Sequence, residues 1–270
     1  MILDVVLQRL TLTRALQTKE FYHFINSCID EGWSDNLTHL ECLYKSYKDD
    51  FLVVLHEDVI AGFVIALRES DNFGFISNLL IIKSFRSQGF GKQLLNFALQ
   101  HLNNRQISLD CENSKKNFYE KVGFKAYFKT SMYLFASSLF SIENQNITVS
   151  NVSLDDILNY NKKAKVLKNT DYTSCLYNSK NTTYKAIYKT QNISSYAIKL
   201  KHKDGYLLII SSGDIDEALV LFFNLCQDLK KHTNIYFEVS DIDPINLSIS
   251  KQLKMKKLSS TTKMYNKILN

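Results

Sequence analysis

The sequence predicts an α/β protein with an α+β mixed sheet, built from two tandem units in which a twisted central sheet is flanked by helices. Strand-like and helix-like segments alternate along all 270 residues. The second half repeats the segment order of the first, so that Leu79–Ile82 and its following helix have a counterpart in Leu207–Ile210 and its helix. A chain of this length fits two small domains.

The charge distribution divides the chain near residue 140. The net charge is +6, yet residues 1–140 hold 15 basic and 15 acidic residues, which leaves 18 and 12 for residues 141–270. The Ser- and Asn-rich stretch Ser137–Asn151 is the natural linker, which predicts domains at 1–138 and 146–270. The lysines of the second half are scattered, which favours solvated helix faces over a nucleic-acid surface.

Composition excludes several classes of protein. Hydrophobic residues make up 45% and charged residues 22%, which is typical of a globular chain, and the apolar runs are too short to span a membrane. No basic leader precedes the first apolar run, so a cytoplasmic protein is expected. The five cysteines form no CxxC or Cys/His pattern and the six histidines are dispersed, which favours buried free thiols and argues against a disulfide framework and a metal site.

Local patterns assign the elements of the first half. The β-rich runs on either side of His56-Glu57-Asp58 predict a hairpin, and Thr38 with Glu41 forms a capping box that predicts a helix start. The run from Gly91 to Leu102 places its apolar residues on one helical face. Strands are predicted at Val5–Leu10, Phe51–Leu55, Val59–Leu67, Phe75–Ile82, Ile107–Cys111 and Lys125–Phe135, and helices at Lys19–Asp30, Thr38–Tyr47, Gly91–Leu102 and Ser114–Val122.

The second half follows the same order less clearly. Its strongest helix begins at Ile215, after a run of three strand-like segments. Strands are predicted at Asn146–Val149, Tyr184–Lys189, Ser195–Lys201, Tyr206–Ser211, Ile235–Val239 and Lys257–Lys267, and helices at Leu154–Val166, Ile215–Lys230 and Leu247–Leu253.

The loop Arg86-Ser-Gln-Gly89-Phe-Gly91-Lys92 joins a buried strand to a helix and carries the chemistry of the first half. The first amides of a helix lack internal partners, and the helix dipole adds positive potential there. Glycines let the backbone approach a ligand closely, and the flanking cations attract an anion. The loop therefore predicts a diphosphate cradle, with an ordinary strand-to-helix turn as the alternative.

Two motifs in the first half resemble the GNAT superfamily of acyl-CoA-dependent N-acyltransferases. The stretch from Phe75 reads as the family's motif A, an apolar strand followed by [RQ]-x-x-G-x-[GA] and an amphipathic helix. The stretch Phe118–Phe124 reads FYEKVGF, which is similar to the YEKxGF of motif B. Glu31-Gly32-Trp33 and the terminal Lys263-Met264-Tyr265 further resemble a bacterial tandem subfamily, whose second GNAT-like domain is degenerate.

The resemblance implies acetyl-CoA as co-substrate and gives roles to individual residues. The strand backbone from Leu80 to Ile82 would pair with the pantetheine arm, a central-strand amide would polarise the thioester carbonyl, and Tyr119 would protonate the departing thiolate. A core aromatic is the alternative for Tyr119, and an exposed helix asparagine for Asn117. The residues implied to contact the cofactor are Leu80, Ile81, Ile82, Arg86, Ser87, Gln88, Gly89, Phe90, Gly91, Lys92 and Asn117.

The base and the acceptor site are harder to assign. An amine attacks only when neutral, so a carboxylate is the usual base, and Asp110 lies at the carboxyl end of its strand, where open α/β sheets bind ligands. A structural carboxylate is the alternative. Glu31, Trp33 and Asp35 lie in the loop that covers the acceptor in this family, and Trp33 could hold an ammonium by cation–π contact or merely staple the helix.

The second half lacks the cradle. At the corresponding position it reads Ser211-Ser-Gly213-Asp-Ile-Asp216-Glu217, with one glycine and three acids, which would repel a diphosphate. The resulting hypothesis is an acetyl-CoA-dependent N-acetyltransferase that acts on a small cationic primary amine by direct attack in a ternary complex. It needs no nucleic acid or membrane, and a monomer and a homodimer remain open. The alternatives are a CoA-binding sensor or protein-interaction module without turnover, a protein-lysine acetyltransferase and a nucleic-acid binder.

Overall fold

The computed structural model describes residues 11–33, 37–136, 147–164 and 169–267, and these ranges form two compact units. The first unit comprises Met1–Asp110, Asn117–Lys125 and Met264–Asn270, and the second comprises Cys111–Lys116 and Ala126–Lys263, each as far as it is described. Residues 137–146 of the predicted linker Ser137–Asn151 lie outside the described residues, as does the predicted strand Val5–Leu10.

The first unit contains a mixed sheet of strands β1 to β5 in the order β1-β2-β3-β4-β5. All neighbours are antiparallel except β4 and β5, which run parallel. The strands are β1 (Thr11–Ala15), β2 (Phe51–His56), β3 (Val59–Leu67), β4 (Phe73–Ile81) and β5 (Gln106–Glu112), and the helices are α1 (Phe21–Asp30), α2 (Leu37–Ser46), α3 (Phe90–His101) and α4 (Lys116–Glu120).

The predicted hairpin is confirmed and has a two-residue turn. His56 pairs with Val59, and Glu57 and Asp58 between them have φ of 48° and 64°. Two successive positive φ values define the turn whose twist matches that of the flanking strands. The capping box predicted at Thr38 is wrong, because α2 already includes Leu37 and Thr38 therefore lies inside its first turn.

The core of the first unit lies on both faces of this sheet. The apolar face of α3 is completely buried, as the helical spacing of Leu94, Leu95 and Ala98 predicts. Phe24 of α1 packs edge-on against Phe51 and Phe63, with ring centroids 5.6 and 5.5 Å away. Burial of such rings stabilises the fold by roughly 1.5–3 kcal/mol per side chain.

The second unit contains strands β6 to β11 in the order β11-β6-β10-β9-β8-β7. The strand β6, assigned from sequence to the first half, pairs with β10 and belongs here. The helix α6 was not predicted. The strands are β6 (Lys125–Ala136), β7 (Thr182–Lys189), β8 (Asn192–His202), β9 (Gly205–Ser211), β10 (Asn234–Ser240) and β11 (Lys256–Tyr265), and the helices are α5 (Leu154–Ala164), α6 (Thr170–Tyr177), α7 (Ile215–Cys226) and α8 (Pro244–Gln252).

The end of the chain returns to the first unit. Asn266 donates its backbone N–H to the Ile107 carbonyl oxygen at 3.0 Å, and its side-chain oxygen accepts from the Ile107 amide at 2.8 Å. In the described part of the chain, no helix combines the length and the hydropathy needed to cross a membrane.

Candidate active site

The two parallel strands of the first unit separate towards their carboxyl ends. Pairing between β4 and β5 runs over four positions, from Phe73 opposite Gln106 to Ile76 opposite Leu109. Beyond Ile76, β4 continues to Ile81 without a described partner residue in β5. The carboxyl ends of parallel strands are where open α/β sheets bind ligands, so this gap is the natural entry for one.

A β-bulge in β4 lies at the start of this gap. Ser77 is opposite Ile65 and Leu80 is opposite Phe63, so two β4 residues face the single residue Val64. One of the two, Asn78, has a φ of 49°. A bulge interrupts the regular ladder and redirects the backbone groups next to it.

Gly62 on β3 permits the close approach of the two strands beside the bulge. A Cβ atom at this position would lie 2.5 Å from Ile81 Cδ1 and 2.6 Å from the Leu80 carbonyl oxygen. Sequence reasoning missed both Gly62 and Asn78. An isolated glycine within the β-branched run Val59–Leu67 was the available signal, because such a glycine marks a bulge or a close backbone contact.

The loop after β4 winds into the amino end of α3. It passes through the 3₁₀ turn Lys83–Phe85, then Ser87 with φ 62°, and reaches Gly89 with φ 89° as the N-cap. Residues with a side chain rarely adopt the backbone conformation of Gly89, so the turn favours glycine at this position. The Gly91 Cβ position would lie 3.6 Å from Ile81 Cγ1, an ordinary contact, so alanine would also fit there.

No side chain caps the start of α3, because its N-cap residue is a glycine. Phe90 is buried and anchors the helix. The centroid of its ring lies 5.3 Å from that of the His56 ring and 5.8 Å from that of the Phe85 ring. Ser87, Gln88 and Lys92 are exposed around it. An uncapped helix terminus with cations beside it is a suitable site for an anion such as a diphosphate.

Arg86 is fixed at the junction of strand and loop. Its Nε donates to the Ile81 carbonyl oxygen at 2.9 Å, and a terminal guanidinium nitrogen forms an ion pair with Glu31. The backbone of Ile82 has protein partners on both sides, since its amide donates to Ala61 and its carbonyl accepts from Phe85. A pantetheine arm would therefore meet an Ile82 backbone that already has protein partners, and at Ile81 a carbonyl that already accepts from Arg86.

The candidate acid and base lie on neighbouring segments of the first unit. Asp110 is exposed and follows Leu109, the last β5 residue paired with β4. Asn117 is exposed on α4, and Tyr119 is half-buried there. The Tyr119 ring is edge-on to Phe118 at 5.1 Å and to Phe124 at 6.1 Å, so aromatic packing limits its orientation.

The candidate acceptor residues follow the end of α1. Gly32 has φ 75° and donates to the Ile29 carbonyl, while Trp33 donates to the Cys28 carbonyl, which is the Schellman pattern of helix termination. This geometry leaves Trp33 39% exposed. Glu31 joins this segment to Arg86, and Asp35 lies outside the described residues.

Three of the five cysteines have the buried positions that the sequence predicts for them. Cys28, Cys111 and Cys226 are buried and belong to no disulfide bond. Burial raises the pKa of Cys28 to about 12, so this thiol, which accepts from Asn78 Nδ2 at 3.8 Å, stays protonated at neutral pH. Within the described ranges, no group of three or more His, Cys, Asp and Glu side chains could hold a metal ion.

A buried carboxylate secures the far end of α3. Asp50, which is 2% exposed, accepts from Arg68 Nε at 2.6 Å and from the Arg68 amide at 2.8 Å, and lies 2.8 Å from His101 Nε2. Burial alone would raise the pKa of Asp50, but the hydrogen bonds from His101 and Arg68 outweigh it and hold this pKa below its ordinary value.

The second unit also has two parallel strands that separate, but there a side chain of the unit lies in the gap between them. β9 and β10 also pair in parallel over four positions, from Gly205 opposite Asn234 to Leu208 opposite Phe237. Beyond this point, Asn246 of α8 is buried and donates its Nδ2 to the Ile210 carbonyl oxygen at 3.1 Å. The strand carbonyl is therefore satisfied from within the chain.

The helix after β9 is capped where α3 is not. The Asp214 side chain accepts from the amides of Asp216 and Glu217 at the start of α7. Glu217, which is 2% exposed, accepts from Ser194 and Ser195 and pairs with Lys189. Burial disfavours its charge, but these hydrogen bonds hold the pKa of Glu217 below its ordinary value. In the second unit, anionic side chains thus occupy the helix start that corresponds to the glycine loop of the first unit.

A bulged strand that separates from its neighbour, followed by a glycine turn into an uncapped helix, gives the first unit the α/β fold expected of an N-acyltransferase. Residues 18–124 match the model of the acetyltransferase (GNAT) family. The matched stretch contains both sequence motifs, at Phe75–Leu102 and Phe118–Phe124, so the first unit is similar to this family.

A curated enzyme and a solved structure that are similar to the chain are also described as acetyltransferases. The chain is 28% identical to the glucosamine 6-phosphate N-acetyltransferase of Arabidopsis thaliana over 29% of its own length, which is 62% of the plant enzyme. A candidate acetyltransferase from Pyrococcus horikoshii has a similar fold, with a TM-score of 0.73 and 14% identity over 94% of this chain and 88% of that one.

A tandem GNAT protein from the clavulanic acid biosynthesis pathway has a similar fold along nearly the whole chain. Its TM-score is 0.68, with 8% identity over 96% of this chain and 100% of that protein. The resemblance to a tandem GNAT subfamily is thereby confirmed at the level of fold.

Proposed function

We propose that the protein transfers the acetyl group of acetyl-CoA to a primary amine, and that the first unit carries the reaction. The observation that supports this most directly is the amino end of α3, where Gly89 supplies no cap and Arg86 and Lys92 supply positive charge. The amides of residues 88–92 would hold the diphosphate there, and Ser87 and Phe90 shape the turn.

The separated strands would receive the pantetheine arm. The arm carries amide groups that can pair with strand backbone, and Leu80 and Ile81 lie in the part of β4 that extends beyond its pairing with β5. Asn117, exposed on α4, is a further candidate contact. The thioester carbonyl would then approach the bulge at Asn78, where an amide that has left the ladder would stabilise the developing oxyanion.

The amine nitrogen must lose two protons, one before it attacks and one as the amide forms, and the leaving thiolate must gain one. We assign Asp110, directly or through a water, to remove a proton from the ammonium, so that the neutral nitrogen attacks the thioester carbon. The carbon–sulfur bond then breaks, Tyr119 donates its proton to the thiolate, and the extra proton on the nitrogen passes to the Tyr119 phenolate, directly or through a water, which restores the acid. This is direct transfer within a ternary complex and needs no acyl-enzyme.

The acceptor is proposed to be a small cationic amine. Glu31 and Trp33 follow the end of α1 and offer a carboxylate and an exposed indole face, the groups that attract an ammonium. Asp35, from the sequence, would add a second carboxylate. The plant relative acts on an amino sugar phosphate, and that compound belongs among the acceptors to be tested.

We propose that the first unit, predicted from sequence as residues 1–138, is the CoA-binding domain, and that the second unit, predicted as residues 146–270 and joined by β6, is a degenerate domain without a CoA site. The support for the second part is that Asp214 caps α7 and Asn246 fills the gap between the strands. A diphosphate would meet the carboxylates of Asp214 and Glu217 there.

The deciding experiment measures free-thiol release from acetyl-CoA with a panel of a polyamine, an arylalkylamine, amino acids, glucosamine 6-phosphate and a lysine-containing peptide. We expect turnover with at least one small amine, and loss of turnover in Gly89→Glu. CoA binding without turnover for any member of the panel would favour a sensor or interaction module. Turnover of the peptide alone would favour a protein-lysine acetyltransferase.

A further inference from the structure

Glu31 and Arg86 form an ion pair that joins the end of α1 to the loop after β4, although 55 residues separate them in sequence. Arg86 is the first residue of the glycine loop, and Glu31 is the last residue before the Gly32 turn. The pair therefore links the segment proposed to meet the amine with the segment proposed to hold the diphosphate.

Arg86 has a second partner besides Glu31. The Arg86 Nε donates to the Ile81 carbonyl oxygen at 2.9 Å, which fixes the guanidinium plane against the end of β4. The guanidinium has five N–H donors in a rigid fork, so the terminal nitrogens remain to meet an anion. Glu31 takes that place in the structure.

A diphosphate on the amides at the start of α3 would lie beside the same guanidinium. Arginine favours bidentate contact with phosphate as much as with carboxylate, so the two anions compete for one partner. A carboxylate that stays beside a bound diphosphate also repels it, because like charges at close range are unfavourable.

We infer that Glu31 is an internal competitor of the cofactor diphosphate for Arg86, and that it lowers the affinity for CoA by occupying the guanidinium. Binding of the cofactor releases the Glu31 carboxylate at the turn that leads to Trp33. This inference rests on the proposed function, since it requires a diphosphate at the α3 terminus. It assigns Glu31 a role in cofactor affinity in addition to its proposed role towards the amine.

The test is calorimetric titration of the full chain and its variants with CoA and, separately, with pantetheine, which has no diphosphate. In Glu31→Gln, we expect the Kd for CoA to fall by about 2- to 5-fold, the range of a partly exposed ion pair. The Kd for pantetheine should not change. The gain should shrink as salt is raised, because salt screens the competing charges.

Asp30→Asn is the matched control. Asp30 precedes Glu31 and is exposed, so this variant removes one negative charge from the same helix end while the ion pair with Arg86 is kept. A general field effect would tighten CoA binding in both variants, whereas competition for Arg86 requires a distinctly larger effect in Glu31→Gln. In an Arg86→Gln background, Glu31→Gln should leave the CoA Kd unchanged.

Two results would overturn the inference. An unchanged or higher CoA Kd in Glu31→Gln would show that Glu31 does not compete with the diphosphate. An equal fall of the CoA Kd in Glu31→Gln and Asp30→Asn would show that the effect of Glu31 comes from its charge alone and not from its contact with Arg86. Failure of the unmodified chain to bind CoA is a separate result, because it would refute the proposed function itself.

Discussion

Asn246 donates its side-chain amide to the carbonyl oxygen of Ile210 at 3.1 Å, just beyond the last paired residues of β9 and β10. In the first unit, β4 and β5 pair over the same number of positions and then separate at Ile76 and Leu109. The two units thus share one strand arrangement. They differ in the gap beyond the paired residues: in the second unit a side-chain amide of the chain itself donates to the strand carbonyl, which is the kind of contact that a pantetheine amide would make in the first unit.

The first prediction concerns stoichiometry. We expect one CoA per chain, because the start of α3 is uncapped and the start of α7 is capped by Asp214. Gly89→Glu should abolish binding, since it places a carboxylate at the cradle and a side chain at φ 89°. Calorimetric titration gives both results. Two CoA per chain, or undiminished binding in Gly89→Glu, would contradict the assignment.

The second prediction concerns the general acid. Tyr119→Phe keeps the ring that packs on Phe118 and Phe124, so the chain should fold and bind CoA normally. Its kcat should fall roughly 10²- to 10⁴-fold, the usual contribution of general acid catalysis. Tyr22→Phe, which removes a hydroxyl from an exposed tyrosine on α1, is the control. An unaltered kcat in Tyr119→Phe would make this residue a packing group.

The third prediction concerns the acceptor. Trp33→Ala should raise KM for the amine and leave KM for acetyl-CoA nearly unchanged. The reason is that the cation–π contact of an exposed indole with an ammonium contributes about 0.5–1 kcal/mol or more to the binding free energy of the amine. Asp35→Asn should act in the same direction. Ile29→Ala removes another exposed apolar side chain near the end of α1 and should change neither constant. Normal amine kinetics in both acceptor variants would locate the acceptor elsewhere.

The fourth prediction concerns stability. Asp50→Asn should destabilise the first unit by roughly 1.5–3 kcal/mol, because the charge-assisted hydrogen bonds with Arg68 and His101 are weakened inside the fold. The exposed neighbour Asp49 provides the control, and Asp49→Asn should change stability little. Urea unfolding at neutral pH compares the two variants with the unmodified chain.

The lowered pKa of Asp50 also sets the pH dependence of this contribution. A carboxyl whose pKa is lower in the folded chain stabilises it fully above the unfolded pKa of about 3.9. The contribution is lost as the pH falls through the folded value. The stability difference between the unmodified chain and Asp50→Asn should therefore narrow below about pH 4. A difference that stays constant down to pH 2 would exclude Asp50 as its source.

The glycine loop and its helix were readable in the sequence, because every determinant lies within a few residues. The spacing of Arg86, Gly89 and Gly91 after an apolar run specifies a turn into a helix, and the periodicity of Leu94, Leu95 and Ala98 specifies its buried face. The hairpin at Glu57-Asp58 is equally local. The motifs that indicated the family are of the same kind.

Other features depend on residues that are distant in sequence. Local periodicity could not show that β6 pairs with β10, or that Asn266 returns to Ile107. It gave no sign that Asp50 meets His101 or that Glu31 meets Arg86, since each pair joins segments about 50 residues apart.

The sequence by itself determined the α/β class, the two-part organisation and the glycine turn into α3, because these follow from short-range propensities and from glycines at a helix start. The tertiary structure decided which strand pairs with which, where β4 bulges against Gly62, and which of two similar gaps the chain fills with Asn246. The physical reason is that pairing, close approach and hydrogen bonding across a sheet depend on three-dimensional proximity, which residue order does not encode locally.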